Sequence, residues 1–218
     1  MSQETEMTSK STAPEPRRKP RQKRSEETIG RILDATAELL EELGFDKLNT
    51  NLICERAGLT PPALYRYFPN KYSVLKQLGE RLMQVQNEAL YGALKEMGPA
   101  PTVEQIREQL RGQYEVTIAQ KGASWIMRAL HATPQLVDVR RSSHDKMVEE
   151  FVAVQLEQGQ NQSLDQITRR SQIIVEAGYA IVEMLVDNPD RDSEATLADT
   201  AFMIFMLIQN TIGNDRMT

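Results

Sequence analysis

The chain has 218 residues, a formal net charge of −5, 40% hydrophobic and 26% charged residues, an ordinary composition for one or two soluble domains. No apolar run approaches the roughly 18–20 residues of a membrane span, the opening Met1-Ser2-Gln3-Glu4 lacks the basic-then-apolar pattern of a secretory signal, and a lone cysteine excludes an intramolecular disulfide, so a cytoplasmic protein is expected. Cys54, His131 and His144 lie too far apart in sequence for the close ligand spacings of structural zinc, and neither metal nor cofactor is expected.

Charge is unevenly spread. Residues 1–25 carry seven basic side chains against Glu4, Glu6 and Glu15, a local +4 that leaves −9 for the remainder. Six of the eight residues from Arg17 to Arg24 are basic (Arg17, Arg18, Lys19, Arg21, Lys23, Arg24), with Pro14, Pro16 and Pro20 beside them. Residues 1–24 are therefore predicted as a disordered basic arm. Such an arm serves either as a sequence-blind phosphate contact that makes DNA binding salt-sensitive or as a solubilising tail.

From Ser25 onward the periodicity is helical. Ile29, Ile32, Leu33, Thr36, Leu39, Leu40 and Leu43 recur at steps of three and four, predicting a helix over about 26–43 that Ser25 caps and Gly44 stops. Thr50 is the predicted cap of a short helix through Ala57, ended by Gly58. Thr60 caps a third, which Pro61 opens and Phe68-Pro69 closes. Asn70 caps a long fourth helix, Lys71 to about Met97, terminated by Gly98-Pro99-Ala100-Pro101. Further breaks at Lys121-Gly122, Thr133-Pro134, Gly159-Gln160-Asn161-Gln162 and Asp187-Asn188-Pro189-Asp190 predict five more helices, near 102–119, 123–132, 135–158, 165–187 and 194–212. The fold class is all-α with about nine helices.

The two short helices joined by Ala57-Gly58-Leu59-Thr60 have the size and turn of a helix-turn-helix, whose second helix enters the DNA major groove. Gly58 is the informative residue, because a positive φ angle there lets two helices meet steeply within few residues. Arg66 is the one side chain of the second helix able to make a bidentate contact to guanine, which makes it the expected determinant of specificity.

The stretch from Thr50 to Lys71, TNLICERAGLTPPALYRYFPNK, resembles the signature of TetR-type one-component regulators. The resemblance covers roughly Glu26–Met83, and the helical remainder of about 135 residues has the length and composition of that family's effector-binding and dimerisation domain. It implies a helix-turn-helix domain over 25–83 and an effector-binding and dimerisation domain over 84–218.

Residue by residue, the resemblance implies that Thr50 and Asn51 touch the DNA backbone or a flanking base. Pro61, Pro62, Ala63 and Arg66 would face base edges, with Thr60 opening that surface, and Tyr65, Tyr67 and Lys71 would hold phosphates. The chemistry agrees: a helix start offers free amides to an anion, phenols and ammonium groups are common phosphate partners, and apolar proline or alanine suits a thymine methyl. Leu64 and Phe68 read better as packing. Where the family often has glycine-threonine this chain has Pro62-Ala63, so a hydroxyl contact is missing and the base preference is unreadable. Cys54 stands where a small alanine is usual and reads as a buried small hydrophobe rather than a redox sensor.

The last two helices differ from the others. Ile173, Ile174, Ala177, Gly178, Ile181 and Leu185 form a stripe with small residues in its middle, while Leu197, Ala201, Phe202, Ile204, Phe205, Leu207 and Ile208 leave the final helix apolar on nearly every side. Such a helix must be covered from more than one direction. A homodimer through a four-helix bundle would cover it, with Ala177, Gly178, Ile181, Leu185, Ala201, Phe202, Phe205 and Ile208 at the interface. Each large side chain so buried would contribute about 1.5–3 kcal/mol. A twofold dimer presents two recognition helices about 34–36 Å apart to a near-palindromic operator, and the long fourth helix would act as a lever between the domains.

Tyr91, Tyr114, Trp125, Met127, His131, Phe151, Tyr179 and Met184 are the large aromatic, thioether or imidazole candidates for lining an effector pocket. For each, core packing is the plainer alternative. No tight Arg/Lys cluster sits at an interior-looking position, which favours an apolar or aromatic effector over an anion. Residues 84–218 carry twelve basic and nineteen acidic side chains, a charge of −7 that should turn away from DNA. The function expected is a transcriptional repressor released from its operator by a small molecule; the alternative is an effector-independent architectural DNA-binding protein. No Gly-rich phosphate loop, nucleophile elbow or His/carboxylate helix motif is present, so an enzyme is not expected, nor a membrane partner.

Overall fold

The computed structural model describes residues 20–98, 101–157 and 163–212. Among them are nine α-helices and no strand: α1 (Pro20–Leu43), α2 (Thr50–Ala57), α3 (Pro61–Tyr65), α4 (Lys71–Met97), α5 (Val103–Ile118), α6 (Ala123–Ala132), α7 (Val137–Glu157), α8 (Leu164–Asp187) and α9 (Ser193–Ile212). None is long and apolar enough to cross a membrane.

Most boundaries follow from local chemistry, and four differ from the sequence expectation. Helix α1 starts at Pro20 rather than near residue 26. Proline is harmless in a first turn, where its missing N–H has no acceptor, and Arg, Gln and Lys are good helix formers. Ser25 is therefore interior rather than a cap, and Arg21, Lys23 and Arg24 belong to a helix, not to a disordered arm; Arg17, Arg18 and Lys19 lie outside the described residues. Asn49, not Thr50, caps α2: its extended backbone lets its side chain accept from the Leu52 amide at 3.1 Å, whereas Thr50 is already helical. Thr60 precedes α3 with the extended backbone of a cap, but its hydroxyl makes no capping bond. Finally, α3 ends at Tyr65 instead of Phe68, and Tyr67 and Phe68 continue as a turn onto the Leu64 carbonyl. Asn70 caps α4 in a reciprocal box with Ser73.

Two cores hold the helices. The first gathers Ile32 and Leu40 of α1, Ile53 of α2, Leu64 of α3 and Leu75 of α4 around Leu130 of α6. The second gathers Leu90 of α4 and Leu110 of α5 with Met147, Val175, Leu185 and Leu197 from α7, α8 and α9. Helix α4 runs through both, and α6 packs on the N-terminal helices. That junction is tight. A Cβ on Gly122, whose φ is +69°, would stand 2.8 Å from the Ala37 carbonyl oxygen of α1, and the Trp125 ring of α6 lies 3.1 Å from the Cβ position of Gly44. Ion pairs Lys121–Glu38 at 3.0 Å and Arg81–Asp34 at 2.8 Å flank it, and Lys121, ahead of Arg56, draws the Glu38 carboxyl below the usual carboxylate range.

The apolar character of α8 and α9 divides differently from the expected interface. Leu185 and Ala201 are inaccessible within the protomer, and Gly178 is buried against Leu110; these three are corrected to interior positions, because α5 already covers that side of both helices. Ile181, Phe205 and Ile208 are half-buried on the same core, and Ala177 is half-buried. Phe202 faces outward, 57% exposed, with Met203 and Met206 beside it and Ile173 on α8.

Candidate nucleic-acid interface and ligand cavity

The helix-turn-helix is built by one backbone reversal and a few buried anchors. Gly58 takes a left-handed conformation (φ 63°, ψ 43°), and the Leu59 amide returns to the Cys54 carbonyl at 2.9 Å, a glycine-dependent helix end. Leu64, fully buried, and Phe68, nearly so, fix α3 from below. Cys54 is buried, and that burial pushes its thiol pKa up, the setting of an inert packing residue.

With those anchors inward, the opposite surface carries polar and small side chains. Asn51, Thr60, Pro61, Pro62, Tyr65 and Arg66 are exposed, while Thr50, Ala63 and Tyr67 are half-buried. The structure brings Thr50 and Tyr65 together, their hydroxyls 3.2 Å apart, and sets the Arg66 guanidinium 5.9 Å from the Tyr67 ring centre. The amides of Thr50 and Asn51, first in α2, have no intrahelical acceptor. Lys71 is folded back: its Nζ donates to the Leu48 carbonyl at 3.1 Å and lies 4.9 Å from the Phe45 ring centre. Behind this surface, Arg56 of α2 pairs with Glu42 at 2.7 Å and Glu38 at 3.4 Å on α1, and its hydrogen bond holds the Glu42 carboxyl below its ordinary pKa.

The eight pocket candidates do not converge. Phe151 and Tyr179 line a cavity between α4, α5, α7, α8 and α9. Tyr179 also walls a second, more polar hollow that holds Met127 and His131. Tyr91 borders an open hollow between α4 and α7. Trp125 is spent at the junction with Gly44, with Arg128 over its face at 5.2 Å. Tyr114 is half-buried on the second core, and Met184 is half-buried on α8, where its carbonyl accepts from Asn188.

Sequence reasoning missed the polar residues around the cavity beside Phe151. Gln109 and Gln113 line it from α5, and the side-chain nitrogen of each is buried without a hydrogen-bond partner. The signal was present: Gln113 and Thr117 continue the stripe begun by Ile106 and Leu110, all four buried. Tyr179, which lines both the apolar cavity and the more polar hollow, belongs to a bonded chain. The Tyr179 hydroxyl donates to the side-chain oxygen Oδ1 of Asn87 on α4, the Asn87 side-chain amide donates to Ser143 of α7 at 3.0 Å, and the His144 ring stacks on Tyr179 with centres 4.2 Å apart. Burial raises the Tyr179 pKa and keeps the phenol neutral. Among the described residues no cluster of His, Cys, Asp or Glu could hold a metal ion.

A glycine-turned helix pair joined by one long helix to a larger helical domain with its own cavity defines an all-α helix-turn-helix protein. Residues 32–78 match the model of the bacterial regulatory proteins of the tetR family, so the helix-turn-helix segment is of that family's type. The class G tetracycline repressor protein of Vibrio anguillarum is 40% identical over 55 residues, 25% of this chain and 26% of that protein, so the chain matches about a quarter of that relative's length. A TetR-family transcriptional regulator from Streptomyces coelicolor superposes with a TM-score of 0.56 at 22% identity, over 84% of this chain and 99% of the other. RolR in complex with resorcinol does so with a TM-score of 0.54 at 15% identity, over 87% and 95%. At these identities the likeness is one of fold.

Proposed function

We propose that the chain is a homodimeric transcriptional repressor that binds a near-palindromic operator through α3 and leaves it when a small, mainly apolar molecule enters the cavity beside Phe151 and Tyr179. The observation that carries the reading is the two-sidedness of α3: Leu64 is fully buried while Pro61, Pro62, Tyr65 and Arg66 are exposed on one side. Arg66 reads guanine, Pro61, Pro62 and Ala63 meet thymine methyls, and Thr50, Asn51, Thr60, Tyr65, Tyr67 and Lys71 position the backbone. Lys71 swings out from Leu48 to do so. Lys23 and Arg24, exposed at the start of α1, add salt-sensitive phosphate contacts with the remaining basic residues of the N-terminal segment.

The exposed stripe of Phe202, Met203 and Met206 is the dimer face. RolR was solved in complex with resorcinol, and the cavity between α4 and the C-terminal helices of this chain supports the reading of a small-molecule effector. A ligand there shifts operator affinity by no more than its differential affinity for the two states. Anisotropy of labelled DNA from upstream of the chain's own coding sequence tests the reading. One protected palindrome, weakened by roughly 1–3 kcal/mol and relaxed in base preference by Arg66→Ala, is the expected result; indifferent coverage of any duplex would make the protein architectural instead.

A further inference from the structure

The cavity beside Phe151 and Tyr179 is mainly apolar, with Gln109 and Gln113 of α5, Gln155 of α7 and Tyr179 of α8 as the polar residues among those lining it. Leu90, Ile106, Leu110, Phe151, Ile174 and Ile204 make up much of its surface, and among the described residues no charged side chain lines it. Gln109 and Gln113, one helical turn apart on α5, line it, and the side-chain amide nitrogen of each is buried with no hydrogen-bond partner among the described residues. Gln113 is 1% exposed, so bulk water does not substitute for a partner, and a buried amide left without one is a standing cost to the fold. A ligand that brings an acceptor to this wall removes that cost. An acceptor with a full negative charge would be stranded, since no cation stands among the described lining residues to offset its desolvation.

Resting on the reading of this cavity as the effector site, we propose that it takes a neutral, mainly apolar ligand carrying one carbonyl-type oxygen, which accepts hydrogen bonds from the side-chain amides of Gln113 and Gln109. The ligand's hydrocarbon body lies along Leu90, Leu110 and Ile204, and its oxygen fixes its orientation against α5. Hydrocarbons of the same shape are discriminated against because they leave both amides unpaired, and carboxylates because they enter charged.

Calorimetric titration of the full-length protein with two matched sets tests this: 4-phenylbutan-2-one, butylbenzene and 3-phenylpropanoate; and nonan-2-one, nonane and octanoate. Each ketone is expected to bind at least about tenfold tighter than its hydrocarbon and its carboxylate. Gln113→Leu is expected to reverse the ketone–hydrocarbon order while keeping or raising Tm, because the orphan amide is replaced by an apolar group of similar size. Hydrocarbons that match the ketones, carboxylates that beat them, failure of both ketones to bind, or a Tm lowered by Gln113→Leu would each overturn the proposal. Operator release, read separately by anisotropy, keeps the two readings apart: Gln113-dependent ketone binding without release removes the effector role and leaves the ligand class, while release by hydrocarbons removes the ligand class alone.

Discussion

Thr50 Oγ1 and Tyr65 Oη lie 3.2 Å apart, tying the first turn of α2 to the end of α3. Tyr65 is half exposed, so its hydroxyl accepts from or donates to Thr50 and still has capacity for a phosphate oxygen. Tyr65→Phe keeps the ring and removes that oxygen. Affinity should fall by about 0.5–1.5 kcal/mol on every DNA sequence alike. The dependence of log K on log salt should keep its slope, because no cation is lost. Anisotropy titrations at several salt concentrations check both; a loss confined to one operator sequence would move Tyr65 to base readout.

Gly58 and Gly122 share a left-handed backbone but differ in what surrounds them. A Cβ on Gly58 meets nothing within 4 Å, whereas one on Gly122 comes within 2.8 Å of a backbone oxygen of α1. Gly58→Ala should therefore cost only the conformational penalty of about 1–2 kcal/mol. Gly122→Ala should cost more and loosen α6 from α1, because a backbone oxygen cannot swing aside as a side-chain end can. Denaturant unfolding of both variants measures the difference, and equal losses would refute the packing argument at the junction.

These contrasts mark what the sequence could and could not disclose. Helix ends were legible at Gly44, Gly58, Asn70 and Gly122 because caps and reversals are local chemistry. The start of α1 was not, because a run rich in proline and basic residues reads equally as a disordered arm, and nothing local reveals that it continues a helix. Which side of α8 faces inward was also hidden: Gly178, Leu185 and Ala201 share an apolar pattern with Phe202, and only the position of α5 decides which of them it covers. The exposed face of the helix pair, Pro61, Pro62, Tyr65 and Arg66 opposite Leu64, was readable from residue types around Gly58. The cavity was not, since its lining comes from five helices, and Trp125 shows how a conspicuous aromatic can be committed to a junction instead.

Stability should depend on pH through His144. Its ring is buried against Tyr179, its Nδ1 is 3.0 Å from Glu176, and Arg140 approaches the same carboxylate at 3.5 Å. Burial is the largest influence and lowers its pKa; the Glu176 hydrogen bond works in the opposite sense, and the charges of Arg140 and His131 lower it slightly further. The unfolded chain, with an ordinary histidine pKa near 6.5, then takes up the proton before the folded one. Stability is full above about pH 6.5 and declines as pH falls from there toward the folded pKa. The lowered carboxylates Glu38, Glu42 and Glu194 lose their contributions only below about pH 4.5, outside this window. Melting temperatures should be level from pH 7 to 8 and fall from 6.5 to 5, and His144→Gln should flatten the fall. A Tm that rises on acidification would mean that Glu176 outweighs burial.

The proposed dimer face makes the sharpest separation between folding and assembly. Phe202 stands outside the protomer's core, whereas Leu185, on the neighbouring helix, is inside it. A glutamate at position 185 buries an unpaired charge and should unfold the domain. Phe202→Glu leaves the isolated protomer's packing intact and places like charges across the twofold axis. The expected product is a helical monomer, native by circular dichroism and half the mass by sedimentation. Its operator affinity should drop by orders of magnitude, because one recognition helix reaches only one half-site. If Phe202→Glu remains a dimer with wild-type affinity, the subunits meet on another surface, and the separation of the two recognition helices must be set by some element other than α9.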